Sequence, residues 1–419
     1  MDVRWCCEKG VTIKLWRFAE QDPMVAPKEI RSKVTKVEVG GWSESKLPDI
    51  FANLPNLKDV SINCHDLRDI SVLRKYPIVS LSIRYRIRNL KTVSKMKTLK
   101  SLQIPYIDKK TLLRLTRLKS LTITTDLTDP SILYHLPPNL TDLEFKGLYD
   151  RYEAEKIAVN HSIKSICCSK TSSLRFLSRF PSLTSLTVER RGLVDSAEFN
   201  IISTLHCLLD LKINYGLGIV EKEIPISLNI PSLETLTLDN AYITDTKFLK
   251  GVPNVTSLSI RNSSFSADAA YDWSPKNVIE LTLDRSDVPF EYVMSMKDTL
   301  EYLSLSSHES ISDITRISEC SKLEILKLDR TYITDISPIG SLTKLRHVRP
   351  PSKVTKGLHY LFNIEHLMFY RELAVDTYDG VEVGLGFDLN ERISGKQLQE
   401  RLKGIDYIDE SVGEFIKPG

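Results

Sequence analysis

The sequence has no run of eighteen uncharged apolar residues, which is about the least a helix needs to cross a bilayer, so no membrane span is expected. Glycine (17) and proline (19) make up under a tenth of the 419 residues, which excludes collagen-like and low-complexity chains. At 42% apolar and 26% charged, it has enough core-forming residues for a large fold. Its seven cysteines, at positions 6, 7, 64, 167, 168, 207 and 320, include no Cys-x-x-Cys pair, so neither a zinc ribbon nor a redox disulfide is indicated. An export signal is not expected either, because Met1 to Lys9 carries acid and base where an uninterrupted apolar stretch is needed; this points to the cytoplasm. The sequons at Asn139, Asn160, Asn254 and Asn262 matter only on a secretory route.

Catalytic signatures are missing as well. There is no phosphate-binding glycine loop, G-x-S-x-G elbow or H-E-x-x-H helix, and Ser394-Gly395-Lys396 lacks the glycines a phosphate loop requires. Cys64-His65-Asp66 has the Cys-x-Asp spacing of some bacterial ubiquitin ligases, but it sits inside a repeat and no catalytic domain follows it. His347, His359 and His366 lie near one another without a carboxylate or thiol at ligand spacing. We expect no catalytic residue, no metal and no cofactor.

What the sequence does have is a period. The pattern apolar-x-x-apolar-x-apolar starts at Val34, Leu57, Ile78, Leu99, Leu118, Leu140, Ile163, Leu183, Leu208, Leu233, Val255, Val278, Leu300, Leu323, Leu345 and Ile364, sixteen units with a mean spacing of 22 residues. Alternation over its last four positions means a short strand with one buried face. No such strand is stable alone, so the units must share a core by stacking.

Leu326-Lys-Leu-Asp-Arg-Thr-Tyr-Ile333-Thr-Asp-Ile336-Ser-Pro-Ile339-Gly-Ser-Leu342-Thr-Lys-Leu345 resembles the leucine-rich-repeat family, in particular its short-repeat, internalin-like class. The resemblance covers residues 34–369. It implies an α/β solenoid, a horseshoe with a continuous parallel β-sheet on its concave face and an irregular convex side. It also implies a non-enzymatic scaffold that binds protein partners. The pattern departs from the family where an asparagine usually follows the strand: His65, Ile107, Ala241, Ser263, Ser286, His308 and Thr331 stand there instead. Spacing is uneven over 183–233, and Pro350 replaces the last apolar residue of its strand.

Residues 1–33 are expected to form an N-terminal cap, with Val11 to Trp16 pairing against the first repeat, and residues 370–419 an acidic C-terminal cap, net −6 from Glu372 onward. In the second cap, Val381 to Phe387 alternates like a strand, and Ser394 with Gln397 forms a capping box that opens a helix ending before Gly404.

In this register the third, fifth, seventh and eighth residues of each unit face the concave side or its lip. The early strands offer small polar residues there. The lip column runs Tyr85, Tyr106, Lys170, Arg190, Tyr215, Arg285, Arg330 and Arg371, and the last strands add Tyr302, His347, Arg349, His366, Met368 and Tyr370. Tyrosine and arginine are frequent binding anchors, so these residues are the expected contact line.

Charge is uneven. Residues 74–119 carry fourteen basic side chains and one acid, Asp108, among them Arg84, Arg86, Arg88, Lys91, Lys95, Lys97 and Lys100, and Lys344 to Lys356 contains no acid. The expected function is a protein-protein interaction module for an acidic protein. The alternatives are electrostatic binding of nucleic acid or anionic membrane by 74–119, or a substrate adaptor of a ubiquitin ligase, for which residues 1–33 are short.

Overall fold

A computed structural model describes residues 11–16, 32–41, 45–47, 51, 54–148, 153–189, 196–216, 228–270, 275–308, 310–370, 372–376, 382–388, 390–403 and 405. The chain divides into two compact units, Met1–Glu189 and Arg190–Gly419. The break falls within the unevenly spaced stretch of the repeat pattern.

The first unit contains β1 (Val11–Trp16), β2 (Val34–Gly40), β3 (Asp59–Asn63), β4 (Ser80–Ile83), β5 (Ser101–Ile104), β6 (Ser120–Asp126), β7 (Asp142–Lys146), β8 (Ser165–Ser169) and β9 (Ser185–Glu189). Each strand pairs in parallel with the next. The register aligns one apolar residue per strand, running Val37, Val60, Leu81, Leu102, Leu121, Leu143, Ile166 and Leu186. All are buried. Burying such a side chain contributes about 1.5–3 kcal/mol, and in a ladder each member is covered by its two neighbours. The alternate residues stay half-exposed, as with Asp59, Ser61 and Asn63 around buried Val60 and Ile62.

The second unit contains β10 (Asp210–Asn214), β11 (Thr235–Asp239), β12 (Tyr242–Asp245), β13 (Ser257–Arg261), β14 (Ser264–Ala270), β15 (Glu280–Thr282), β16 (Tyr302–Ser304), β17 (Ile325–Lys327), β18 (His347–Arg349), β19 (Lys353–Val354), β20 (His366–Phe369), β21 (Glu372–Asp376), β22 (Glu382–Gly386) and β23 (Glu391–Ile393). Its main ladder aligns Leu211, Leu236, Leu258, Leu281, Leu303, Leu326, Val348 and Leu367. β18 stops at Arg349 because Pro350 has no N–H to continue the pairing.

The returns mix tight 3-10 turns, such as Ser71–Lys75, Pro130–His135 and Ser337–Ser341, with single α-turns at Leu90–Val93 and Lys109–Leu112. Fifteen to twenty residues carry the chain from one ladder strand to the next; most returns hold about one helical turn, and the longest helix among them is Ser196–Ser203. Two further sheets lie off the main ladder: β12 with β14 in parallel, and β19, β21 and β22 together.

The alternating segment 381–387 does form a strand, β22, but it pairs antiparallel with β21 and stays off the main ladder. The strand set against the last repeat is β23, antiparallel to β20, with Ile393 opposite Leu367. Directly after it comes the helix Gly395–Arg401, where both hydrogen bonds of the Ser394/Gln397 capping box are made.

Candidate partner-binding surfaces

The lip position has a backbone cause. Its residue, the eighth of each unit, adopts positive φ at Gly41 (65°), Gly147 (65°), Lys170 (54°), Asn240 (58°), Asn262 (48°), Arg285 (51°), Ser307 (58°) and Arg330 (61°). The left-handed turn lets its N–H extend the ladder by one rung. Lys170 donates to the Glu189 carbonyl at 2.9 Å, Asn262 to that of Asp284 at 2.9 Å, and Arg285 to that of Ser306 at 3.1 Å. Glycine and asparagine tolerate this conformation, while a long cationic side chain adopts it at a cost of about 1–2 kcal/mol. Lys170, Arg285 and Arg330 therefore occupy strained positions, with their side chains directed outward.

The missing asparagine is replaced by hydroxyl groups in the second unit. The Ser286 hydroxyl donates to the Ile260 carbonyl at 2.9 Å, the Ala241 N–H donates to Ser263 Oγ at 3.0 Å, and the Thr331 hydroxyl donates to the Leu328 carbonyl at 2.7 Å. At His308 the ladder position holds a fully buried imidazole. Burial drives its pKa down to about 4, against weaker opposing pulls from Asp287 and the Val288 backbone.

In the first unit the lip gathers rings and guanidinium groups. His65 stacks on Tyr85 with centroids 3.6 Å apart, Arg84 lies 5.9 Å from the Tyr85 ring, and Arg86 lies 5.2 Å from the Tyr106 ring. Cys64, beside His65, is buried and its thiol donates to the Val39 carbonyl at 3.5 Å, the position of a core residue.

In the second unit the open sheet face carries a row of large side chains in register across four strands: Tyr302, Ile325, His347 and His366. The Lys327 ammonium donates to the Tyr302 hydroxyl at 2.6 Å, and the two imidazoles stack at 4.5 Å. Burial, and then the nearness of His366, pulls the His347 imidazole below its ordinary range. At the lip, Arg330 lies over the Tyr370 ring at 3.7 Å. The aspartates preceding the lip arginines turn inward to hydroxyl groups. Asp284 accepts from Ser304 at 2.6 Å, and Asp329 accepts from the Ser306 hydroxyl at 2.8 Å. Arg285 and Arg330 remain exposed.

A strand, a left-handed lip residue and a short return, repeated with one aligned apolar residue per strand, decide the architecture. The fold is a leucine-rich-repeat solenoid. No family model matches the chain. It is 28% identical over 155 residues to an FBD-associated F-box protein of Arabidopsis thaliana, a match covering 35% of this chain and 37% of that protein. The match thus spans little more than a third of that relative's length. Among solved structures, it is similar to an internalin from Listeria monocytogenes (20% identity, 77% of this chain and 88% of that one, TM-score 0.45). It is also similar to a leucine-rich-repeat protein of Leptospira interrogans (15%, 82% and 87%, TM-score 0.44) and to a chain of the Drosophila Toll–Spatzle complex (13%, 83% and 55%, TM-score 0.49).

The leucine-rich-repeat geometry sorts the expected contact residues. Tyr302, His347 and His366 share one row, with Arg349 on the same strand as His347, and Arg330 meets Tyr370. Tyr215 differs from expectation: its hydroxyl is fully covered, and burial pushes its phenol well above the ordinary range, so its polar end is not offered to a partner. Arg190 and Arg371 lie outside the described residues. His359 lies against Tyr360 with ring centroids 4.0 Å apart and the rings tilted by 41°, apart from the stacked pair His347 and His366. No group of three or more His, Cys, Asp or Glu among the described residues could hold a metal. No helix among them is long and apolar enough to cross a membrane.

Tyr332, 70% exposed and two residues beyond Arg330, is a contact candidate that the sequence reading missed. Its signal was present as a tyrosine directly after the lip turn.

The basic run 74–119 separates into three places. Arg84, Arg86 and Arg88 follow β4 at the lip, Lys91, Lys95, Lys109 and Lys110 ride the convex turns, and Lys97 and Lys100 lie at the leading edge, just before β5.

Proposed function

We propose that this chain is a non-enzymatic protein-interaction module whose partner docks on the open sheet face and lip, and that the partner presents acidic groups. The supporting observation is the lip of the second unit. There the carboxylates of Asp284 and Asp329 are held by serine hydroxyls, while Arg285 and Arg330 stay exposed on a strained backbone. Strain retained at solvent-facing residues marks positions kept for contact more than for stability. The aromatic row from Tyr302 to His366 supplies rigid surface beside those cations. In the first unit, Tyr85 and Tyr106 with their arginines offer the same combination.

The test is affinity capture with the full chain, comparing the unaltered protein with an Arg285→Ala/Arg330→Ala/Tyr302→Ala variant and a convex-face Lys91→Ala/Lys109→Ala variant. The proposal expects specific captured proteins to be lost from the first variant and retained by the second. Equal capture by all three proteins contradicts it.

One observation favours a second reading as a substrate adaptor of a ubiquitin ligase: the stretch shared with an F-box-associated protein. Recovery of ubiquitin-ligase subunits in the same captures tests it.

A further inference from the structure

The leading edge of the first unit, where the strands begin, carries a feature that the protein-docking reading does not use. Lys100, Arg117, Lys119, Asn139, Thr141 and Ser162 line an open cleft there. The backbone at this edge is fixed by the ladder. The Lys100 carbonyl accepts from the N–H groups of Lys119 (2.7 Å) and Ser120 (3.0 Å), and the Lys119 carbonyl accepts from those of Thr141 (2.8 Å) and Asp142 (3.0 Å). Lys100 and Lys119 thus occupy the same position in neighbouring repeats, about 4.8 Å apart along the stack.

No ion pair among the described residues involves Lys100, Arg117 or Lys119. Asp142, the acid next to the lining residue Thr141, accepts from the Thr141 hydroxyl at 2.6 Å. Exposed Lys58 and Lys164 hold the same repeat position two strands further along the edge in either direction, with Val79 and Thr141 at the intervening ones.

From this juxtaposition we infer that the leading-edge cleft binds the phosphate backbone of a nucleic acid strand. The make-up of the lining selects that class. Among the described residues no aromatic or aliphatic side chain lines the cleft, whereas a docked protein segment needs such anchors. Nucleic-acid interfaces are instead polar and strongly positive. Its charge comes from two lysines and an arginine, both residue types that contact phosphate oxygens. With no ring to stack on bases, the binding is independent of sequence.

The experiment measures fluorescence anisotropy of a labelled single-stranded oligonucleotide with the full chain across a salt series. Three phosphate contacts give a slope of log affinity against log salt of about −2. The variant Lys100→Gln/Lys119→Gln is expected to weaken binding about tenfold at low salt and to flatten that slope by about 1.4, one contact per lost charge. Lys100→Arg/Lys119→Arg keeps the charge and is expected to keep the binding, and Lys91→Gln/Lys95→Gln on the convex side is expected to change it less than about twofold. Absence of binding by the unaltered protein at low salt overturns the inference, as does unchanged binding by the glutamine variant or loss in the arginine variant. Equal affinity for poly-glutamate of the same charge, or tighter binding to phosphatidylserine vesicles, also overturns it. The lip variants of the preceding section leave this cleft untouched, so the two proposals fail independently.

Discussion

The guanidinium carbon of Arg330 lies 3.7 Å from the centre of the Tyr370 ring, with the repeat that starts at Leu345 between them in sequence. An exposed cation over an aromatic face contributes about 0.5–1 kcal/mol. A double-mutant cycle of Arg330→Ala and Tyr370→Ala, read by urea unfolding, is expected to give a coupling of that size. Arg330→Lys should lose much of it, since an ammonium cannot stack as the flat guanidinium does. Strict additivity of the two single changes contradicts the contact.

The lip backbone makes a second prediction. At Arg285, with φ of 51°, replacement by glycine relieves strain and is expected to stabilise the protein by up to about 1 kcal/mol. Arg285→Val should destabilise it by about the same amount or more, because a β-branched residue fits this region worst. Under the proposed function, Arg285→Gly also weakens partner capture, so stability and binding move in opposite directions. Thermal unfolding and capture of the same protein samples check this.

His308 links the fold to pH. Its imidazole titrates near 6.5 in the unfolded chain and is lowered to about 4 by burial in the folded one. The unfolded state therefore takes up a proton first as pH falls. Stability is intact above about pH 6.5 and is lost progressively between there and about pH 4, by an amount on the order of 3 kcal/mol. His308→Asn, which restores the residue the repeat family favours at this position, should flatten stability across that window. Unfolding midpoints measured in steps from pH 7 to pH 4 decide it.

Gly357 gives a prediction about backbone room. Its φ is 84°, and a Cβ there would lie 2.3 Å from the Ser337 nitrogen, so no side-chain rotation relieves the clash. Gly357→Ala is expected to cost about 2 kcal/mol or more. Gly386, where a Cβ would meet nothing within 4 Å, is the control: Gly386→Ala should be nearly neutral. Urea midpoints of the two variants compare them directly.

Much of the core was legible in the sequence because a strand's side chains alternate with a period of two. Once Leu236, Leu258 and Leu281 are placed at one repeat position, their lying in one register follows, and the ladder has them so. The lip was legible as a position but not as a conformation, since arginine and lysine at positive φ carry none of the usual glycine or asparagine signal. β12 and β14 were not read because Tyr242-Ile-Thr-Asp is too short to show a period of its own and pairs with a segment one repeat away. β23 escaped because Glu391-Arg-Ile offers a single apolar residue, and its pairing depends on β20 being left without a neighbour. Tyr215 was misjudged because repeat position predicts where a side chain starts, whereas the cover over its hydroxyl comes from tertiary packing.

A photo-crosslinking side chain placed singly at Tyr302, at Arg330 and at Lys109 in the full chain, followed by irradiation in cells, tests the docking surface most directly. Tyr302 lies on the sheet face, Arg330 at the lip, and Lys109 on a convex turn of the first unit. The expected result is one shared protein joined to positions 302 and 330 and absent at 109. A partner joined at 109 alone, with nothing at 302 or 330, contradicts binding through the face and lip.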